Sequence, residues 1–251
     1  VYQEKELMKK RILFLIHDLG HGGAEKVLVN LVNNMDRSKF DISVTALFGG
    51  GVNEQFLKPD VHYRAAFSRS FRGNSHIMKL LTPKQLHRLF VKETYDVEVA
   101  YLEGPASRII SGCSDRETKL VSWIHIEQRS AEAAACSFRS VREAVSCYNR
   151  FNRIIGVSEE VRRTFLKALP VKVPMQVLYN TNESAEIVRQ SKEAVDDGLF
   201  RDGEIKLVGV GKLLKHKGFD RMARIVKRLD SEGYPVHLYA LGVGPLRDEL
   251  E

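Results

Sequence analysis

Cysteine is scarce in this chain: Cys113, Cys136 and Cys147 are the only three in 251 residues. Their number is odd, their spacing is wide and no CxxC pair occurs, which leaves neither a disulfide framework nor a zinc-finger spacing. They read as reduced, structural thiols of a cytosolic protein, and no metal ligand is assigned. Long hydrophobic runs are missing too; none approaches the roughly 20 residues that a membrane-spanning helix needs. The apolar stretch Ile12–Ile16 is too short for the core of a secretion signal, and no small-residue cleavage site follows it. There is no internal repeat, no low-complexity tract and no P-loop GxxxxGK[ST]. No RRM, KH or zinc-finger pattern occurs, so a nucleic-acid partner is not expected.

What is present is an ordinary globular composition, 43% hydrophobic and 28% charged, which argues against disorder. The net charge is +7. Such a balance suits an anionic membrane surface or a phosphate-bearing substrate, and equally a plain basic surface. Part of it is local: Arg64, Arg69, Arg72, Lys79, Lys84, Arg88 and Lys92 face only Glu93 between Val61 and Tyr95. Phe67, Phe71, Ile77, Met78, Leu80 and Leu81 are interleaved with them, a mixture that suits peripheral contact with an anionic membrane. Met8 reads as a natural start, and residues 1–7 are given no role in the fold.

Strand-like and helix-like stretches alternate. Ile12–Ile16 is continuously apolar, as in a parallel strand covered on both faces. Behind it Ala24, Val27, Leu28, Leu31, Val32 and Met35 recur at helical spacing. Further strands are expected at Ile42–Phe48, Val97–Leu102, Lys119–Ile124, Arg153–Val157 and Met175–Tyr179. Helices are expected from Pro83 and from Ser158, a residue suited to capping, through Leu169. The polar stretch from Asn180 to Gly203, with a helix over Glu183–Ala194, reads as a domain crossing. Strands at Ile205–Val210 and Val236–Leu241 then flank a helix over Phe219–Ser231. This pattern implies an α/β fold of two parallel-sheet domains, 8–182 and 183–251.

In such folds ligands sit at the carboxyl ends of strands, where loops feed helix starts. Gly22 and Gly23 stand at such a place, and exposed N–H groups there favour an anion; a plain tight turn is the alternative. Lys212 and Lys217 flank a glycine-opened helix start in "VGVGKLLKHKGFDRM", which suits a diphosphate, or a solvated lysine loop. His125 follows a strand in "VSWIHIEQ", as catalyst or as a satisfied structural histidine; Trp123 reads as packing. Glu103 follows another strand, able to hold a substrate hydroxyl, to act as a base or to serve as a turn acid. Gly242 and Gly244 mark a third glycine turn.

Taken in order, "GGAE", "WIH", "GVSEEVRRTF", "VLYNTNE", "VGVGKLLKHKGFDRM" and "ALGVGPLRDELE" resemble the motifs of GT-B glycosyltransferases, and more narrowly the retaining family 4 type. The resemblance covers the chain from Met8 to Glu251. It implies two Rossmann-like domains facing a cleft, and transfer of a sugar with retention from a nucleotide sugar, taken as UDP-linked, to a lipid-linked or polysaccharide acceptor. No separate cofactor and no metal are implied. Under the resemblance Gly23 approaches the donor phosphate or acceptor side and His125 contacts the donor sugar. Lys217 holds the diphosphate, and Gly242 and Gly244 lie against base and ribose. Lys212 stands where that family usually has Arg, so a point charge replaces a fork. The family's paired glutamates lie beyond Glu251, which implies an incomplete second domain and little or no turnover by this polypeptide alone. The expected setting is cytoplasmic, at the inner face of the membrane, in cell-envelope or exopolysaccharide synthesis. A GT-B-fold sugar-nucleotide epimerase and an inert nucleotide- or lipid-binding module are the alternatives.

Overall fold

A computed structural model of the chain describes residues 9–71, 74–195, 198 and 203–250. Residues 1–8, Arg72 and most of "DDGLFRDGE" lie outside the described residues. The chain divides into two compact units, Val1–Ser184 and Ala185–Glu251.

In the first unit the order is β1 (Lys10–Ile16), α1 (Gly23–Asn34), β2 (Phe40–Phe48), β3 (His62–Phe67), α2 (Asn74–Leu80), α3 (Pro83–Phe90) and β4 (Val97–Tyr101). There follow α4 (Pro105–Ile110), β5 (Lys119–Ile124), α5 (Ala131–Ala134), α6 (Val141–Tyr148), β6 (Arg153–Gly156), α7 (Glu159–Ala168) and β7 (Met175–Val177). The seven strands form one sheet in the order β3-β2-β1-β4-β5-β6-β7, and every neighbouring pair is parallel. Helices cover both faces. Ile12, Phe14 and Ile16 pack with Leu28, Val29 and Val32 of α1, while Leu13 and Leu15 pack with residues of α3, α4, α6 and α7. That two-sided burial explains the unbroken apolar run of β1.

β1 lies between β2 and β4, so the chain winds away from it in both directions. The exits of β1 and β4 therefore flank the point where strand order reverses, the usual place for a ligand in an open parallel sheet. β4 ends one residue earlier than expected because Leu102 turns to φ +97°. β3 was not expected from sequence; it is an edge strand, largely exposed.

In the second unit α8 (Ser184–Gln190), shorter than expected and starting at the junction, leads to β8 (Ile205–Val210), α9 (Phe219–Ser231), β9 (Val236–Leu241) and α10 (Arg247–Leu250). β8 and β9 pair in parallel. Gly209 gives room to the Phe219 ring, which a Cβ there would meet at 2.9 Å, and Phe219 is buried.

Candidate functional site

The exit of β1 is held rigid by its own polar groups. The Gly20 N–H donates to Asp18 Oδ1 at 2.8 Å, and Asp18 Oδ2 meets His17 Nδ1 at 2.7 Å. The loop after β2 braces it from the side. The Asn53 N–H donates to the Leu19 carbonyl at 2.9 Å, and Asn53 Nδ2 donates to the Gly20 carbonyl at 2.5 Å. Gly51 lies so close that a Cβ would stand 2.3 Å from the Leu19 carbonyl. Gly51 and Asn53 stand more than thirty residues from Leu19 and Gly20 in the chain, so this brace leaves no local signal in the sequence.

This braced loop delivers the start of α1. Gly22 is its N-cap, in extended conformation, with no side-chain cap. A Cβ on Gly22 would strike the Glu25 carboxylate at 1.7 Å, whereas one on Gly23 would meet nothing within 4 Å. The two glycines thus differ. Gly22 makes room for Glu25, and Gly23 leaves its backbone open. The start of this twelve-residue helix takes no cap from the Gly22 position and presents N–H groups and the positive end of its dipole, with the Glu25 carboxylate beside Gly22.

At the exits of β4 and β5 stand Glu103 and His125. Glu103 follows Leu102, a leucine at positive φ, and precedes Gly104 at φ +83°, ψ −120°. Strained backbone of this kind clusters at functional sites. The His125 N–H donates to Glu103 Oε2 at 2.9 Å. Burial raises the Glu103 carboxyl, and the backbone N–H groups around it, His125's first, work in the opposite direction. The contact gives Glu103 a positioning part that sequence alone did not show. The His125 ring lies 4.6 Å from that of Tyr101 and 6.2 Å from that of Trp123, so Trp123 packs as expected. His125 Nε2, Tyr101 Oη and Trp123 Nε1 are buried with no hydrogen-bond partner among the described residues. Burial lowers the His125 pKa to about 4, so the imidazole is neutral at pH 7 and can donate or accept a hydrogen bond. Gly22, Gly23, Glu103 and His125 therefore share the carboxyl edge of one sheet.

In the second unit Lys212 and Lys217 are both exposed on the turn between β8 and α9. The single helical turn 215–217 ends at Gly218, whose φ of +76° starts α9 without a side-chain cap. Two cations and an open helix start suit a phosphate. Gly242 and Gly244 have a reason internal to the fold. A Cβ on Gly242 would lie 1.8 Å from the Gly211 carbonyl oxygen, and one on Gly244 2.5 Å from that of Leu213. The Gly211 and Leu213 N–H groups donate to Leu241 and Val243 carbonyls, both at 3.0 Å, so these two turns zip together.

Residues 21–181 match the family described as Glycosyltransferase Family 4. No curated protein matches the chain in sequence. Among solved structures, the chain is similar to the N-terminal domain of a Candida albicans trehalose-6-phosphate phosphatase, at 12% identity and a TM-score of 0.65, covering 97% of this chain and 66% of that one. It is similar to Anabaena HepE in complex with UDP and glucose, at 20% identity and 0.57, covering 96% and 63%. It is also similar to a Listeria monocytogenes protein titled a UDP-N-acetylglucosamine 2-epimerase, at 10% and 0.54, covering 96% and 65%. The chain thus spans about two thirds of the length of these structures, and the likeness is one of fold: α/β, with Rossmann-like parallel sheets of the GT-B type.

Proposed function

The chain belongs to Glycosyltransferase Family 4, and from that premise we propose that it moves a hexose, with retention, from a UDP-linked donor to a glycan or lipid-linked acceptor. Residues 8–182 serve the acceptor side and residues from 183 onward the donor. The observation that carries this reading is the start of α1 at Gly23, where a Cβ would meet nothing within 4 Å. It lies on the same carboxyl edge of the sheet as a neutral, buried His125, whose Nε2 has no hydrogen-bond partner among the described residues.

The chemistry follows from these groups. Departure of a nucleoside diphosphate develops negative charge, which Lys217, Lys212 and the α9 start stabilise as fixed, preorganised charges and dipoles. Gly23 lets a phosphate or sugar oxygen reach the α1 N–H groups. His125 offers Nε2 to a sugar hydroxyl, and its backbone is held by Glu103. Gly242 and Gly244, which fix the turns beside Gly211 and Leu213, set the floor on which base and ribose lie.

The test is turnover by the intact protein: UDP released and a product of unchanged anomeric configuration by NMR. Lys217→Ala removes one charge-assisted contact worth about 1.5–3 kcal/mol, roughly 10–150-fold in UDP affinity by calorimetry. Unchanged affinity overturns the donor assignment.

A membrane-linked acceptor is favoured by one patch. Phe71, Ile77, Leu80 and Leu89 are exposed, Leu80 at 78%, beside Lys79 and Arg88, while Met78 and Leu81 face the core. Among the described residues no helix is long and apolar enough to cross a membrane; the contact proposed on this patch is peripheral, at the cytoplasmic face. Co-sedimentation with vesicles containing anionic lipid checks it; no binding at low salt counts against a lipid acceptor. The second reading, an epimerase, is favoured by the Listeria likeness. Incubation with a sugar nucleotide and no acceptor separates the two, because only an epimerase yields an epimer without free UDP.

A further inference from the structure

At the opposite end of β4 from Glu103, three potential metal ligands converge. His87 comes from α3, Glu98 from the second position of β4 and Cys113 from the turn after α4. His87 Nε2 lies 2.8 Å from Glu98 Oε2, and Cys113 Sγ lies 3.8 Å from Glu98 Oε1. The three donor atoms all fall within 4.8 Å of one another. Glu98 and Cys113 are each only 2% exposed, and the His87 side chain 13%. A carboxylate is costly to hide in a core unless it is paired, and here it sits between a nitrogen and a sulfur donor. Cys113 also lines a groove of about 440 Å3 with Lys84, Asp115, Thr118 and Arg150.

We propose that His87, Glu98 and Cys113 bind one divalent transition-metal ion of the zinc type, with water from the groove as fourth ligand. The donor set selects the metal. Thiolate and imidazole suit zinc-like ions, whereas calcium and magnesium take shells of oxygens. The geometry is close: bond lengths of about 2.0–2.3 Å place tetrahedral ligands about 3.5 Å apart, so His87 and Glu98 part by roughly 0.7 Å. Charge also balances. A thiolate, a carboxylate and a neutral imidazole around a dication sum to zero, which keeps the burial cost low beside Lys84 and Arg150. The site joins α3, β4 and the turn before β5, so the metal acts on stability. It is independent of the proposed sugar transfer.

The experiment uses chelator-stripped protein and cobalt, then zinc. One equivalent of Co2+ is expected to give a thiolate-to-metal charge-transfer band in the near ultraviolet. Zinc should displace it and raise the thermal unfolding midpoint, since an ion that binds only the folded state stabilises it. Cys113→Ser is expected to abolish the band, while Cys136→Ser, at the exposed thiol, keeps it. His87→Gln, at the ligand nearest solvent, is expected to weaken Co2+ at least as much as loss of an outer-shell partner, about 10–100-fold. No band in the wild-type protein, or a band that survives Cys113→Ser, overturns the proposal. Should circular dichroism show that Cys113→Ser does not fold, unchanged Co2+ affinity in His87→Gln overturns it instead.

Discussion

The Glu103 carboxylate accepts the His125 backbone N–H at 2.9 Å, tying the exits of two adjacent strands together. Burial acts on both side chains and in opposite senses, raising the carboxyl and lowering the imidazole. Each is pushed toward its uncharged form. A site that keeps charge off the protein side suits a ligand that brings its own.

The imidazole has a consequence for stability against pH. With a folded pKa of about 4 against 6.5 when unfolded, the unfolded chain binds the extra proton between those values. Stability from this group is therefore complete above pH 6.5 and declines as pH falls toward 4, at up to about 1.4 kcal/mol per pH unit. His125→Gln is expected to flatten that stretch, so that at pH 4.5 the variant gains about 2–3 kcal/mol on wild type relative to pH 7. Urea unfolding at the two pH values measures it. Parallel curves for the two proteins would refute the assignment of the slope to His125.

Glu103 has the reverse sign. Its folded pKa is raised, so its contribution favours folding at low pH and fades as pH rises through the folded value. Glu103→Gln keeps an oxygen for the His125 N–H and removes the charge. It is expected to be as stable as wild type or more so at pH 7, and to retain transfer within about tenfold, whereas Glu103→Ala loses about a hundredfold through misplacement of His125. Equal losses in both variants would make Glu103 a proton-transfer group instead of a positioning one.

Among the described residues, the glycines divide into those the fold needs and one, Gly23, that it does not. Gly51→Ala drives a methyl to 2.3 Å from the Leu19 carbonyl, and overpacking of this kind costs about 1–3 kcal/mol. Gly104→Ala meets both a backbone conformation foreign to L-residues and Ser137 Oγ at 2.9 Å, with a cost of about 1–3 kcal/mol. Gly23→Ala meets nothing and, as the first residue of α1, is expected to leave stability unchanged or up to about 1 kcal/mol higher. Its loss should appear in kcat/KM alone. Comparing denaturation midpoints with donor turnover separates the two classes.

Periodicity alone disclosed β1, β2, β5 and α1, because both faces of this sheet are covered and the strands read as apolar runs. β3 escaped notice because it is an edge strand with no fully buried residue, His62 and Arg64 being exposed, so no apolar run marks it. α4, α5 and α6 are short, and α4 is buried nearly throughout, so no polar face marked its period. The strand-exit residues Glu103 and His125 were legible from position, but their mutual hydrogen bond was not. The brace from Asn53 to Gly20 and the cluster of His87, Glu98 and Cys113 depend on strand order, which spacing along the chain does not encode. Nor did the charge pattern from Val61 to Tyr95 show which of its apolar residues are clamped inward.

That clamp supports a last prediction. Arg108 is 1% exposed, yet its guanidinium donates to the Met78 and Leu81 carbonyls at 2.7 and 2.8 Å and pairs with Glu143 at 3.0 Å. Arg139, at the surface, donates to the Lys79 and Leu80 carbonyls at 2.6 and 2.7 Å. Between them the two arginines satisfy the carbonyls that end α2, which a helix leaves orphaned, and they fix the exposed Ile77 and Leu80 in place. Removing the buried guanidinium leaves two carbonyls without a donor, while Glu143, partly exposed, keeps the Arg139 backbone N–H, so Arg108→Ala is expected to lower global stability by about 2–5 kcal/mol, through the orphaned carbonyls and the lost packing. Arg139→Ala removes surface bonds only, and its global cost is expected below about 1 kcal/mol. It should nevertheless free residues 77–81, speeding limited proteolysis there and weakening vesicle binding while the denaturation midpoint holds. If Arg139→Ala binds vesicles as wild type does, the clamp serves packing and the apolar pair it displays is not the membrane contact.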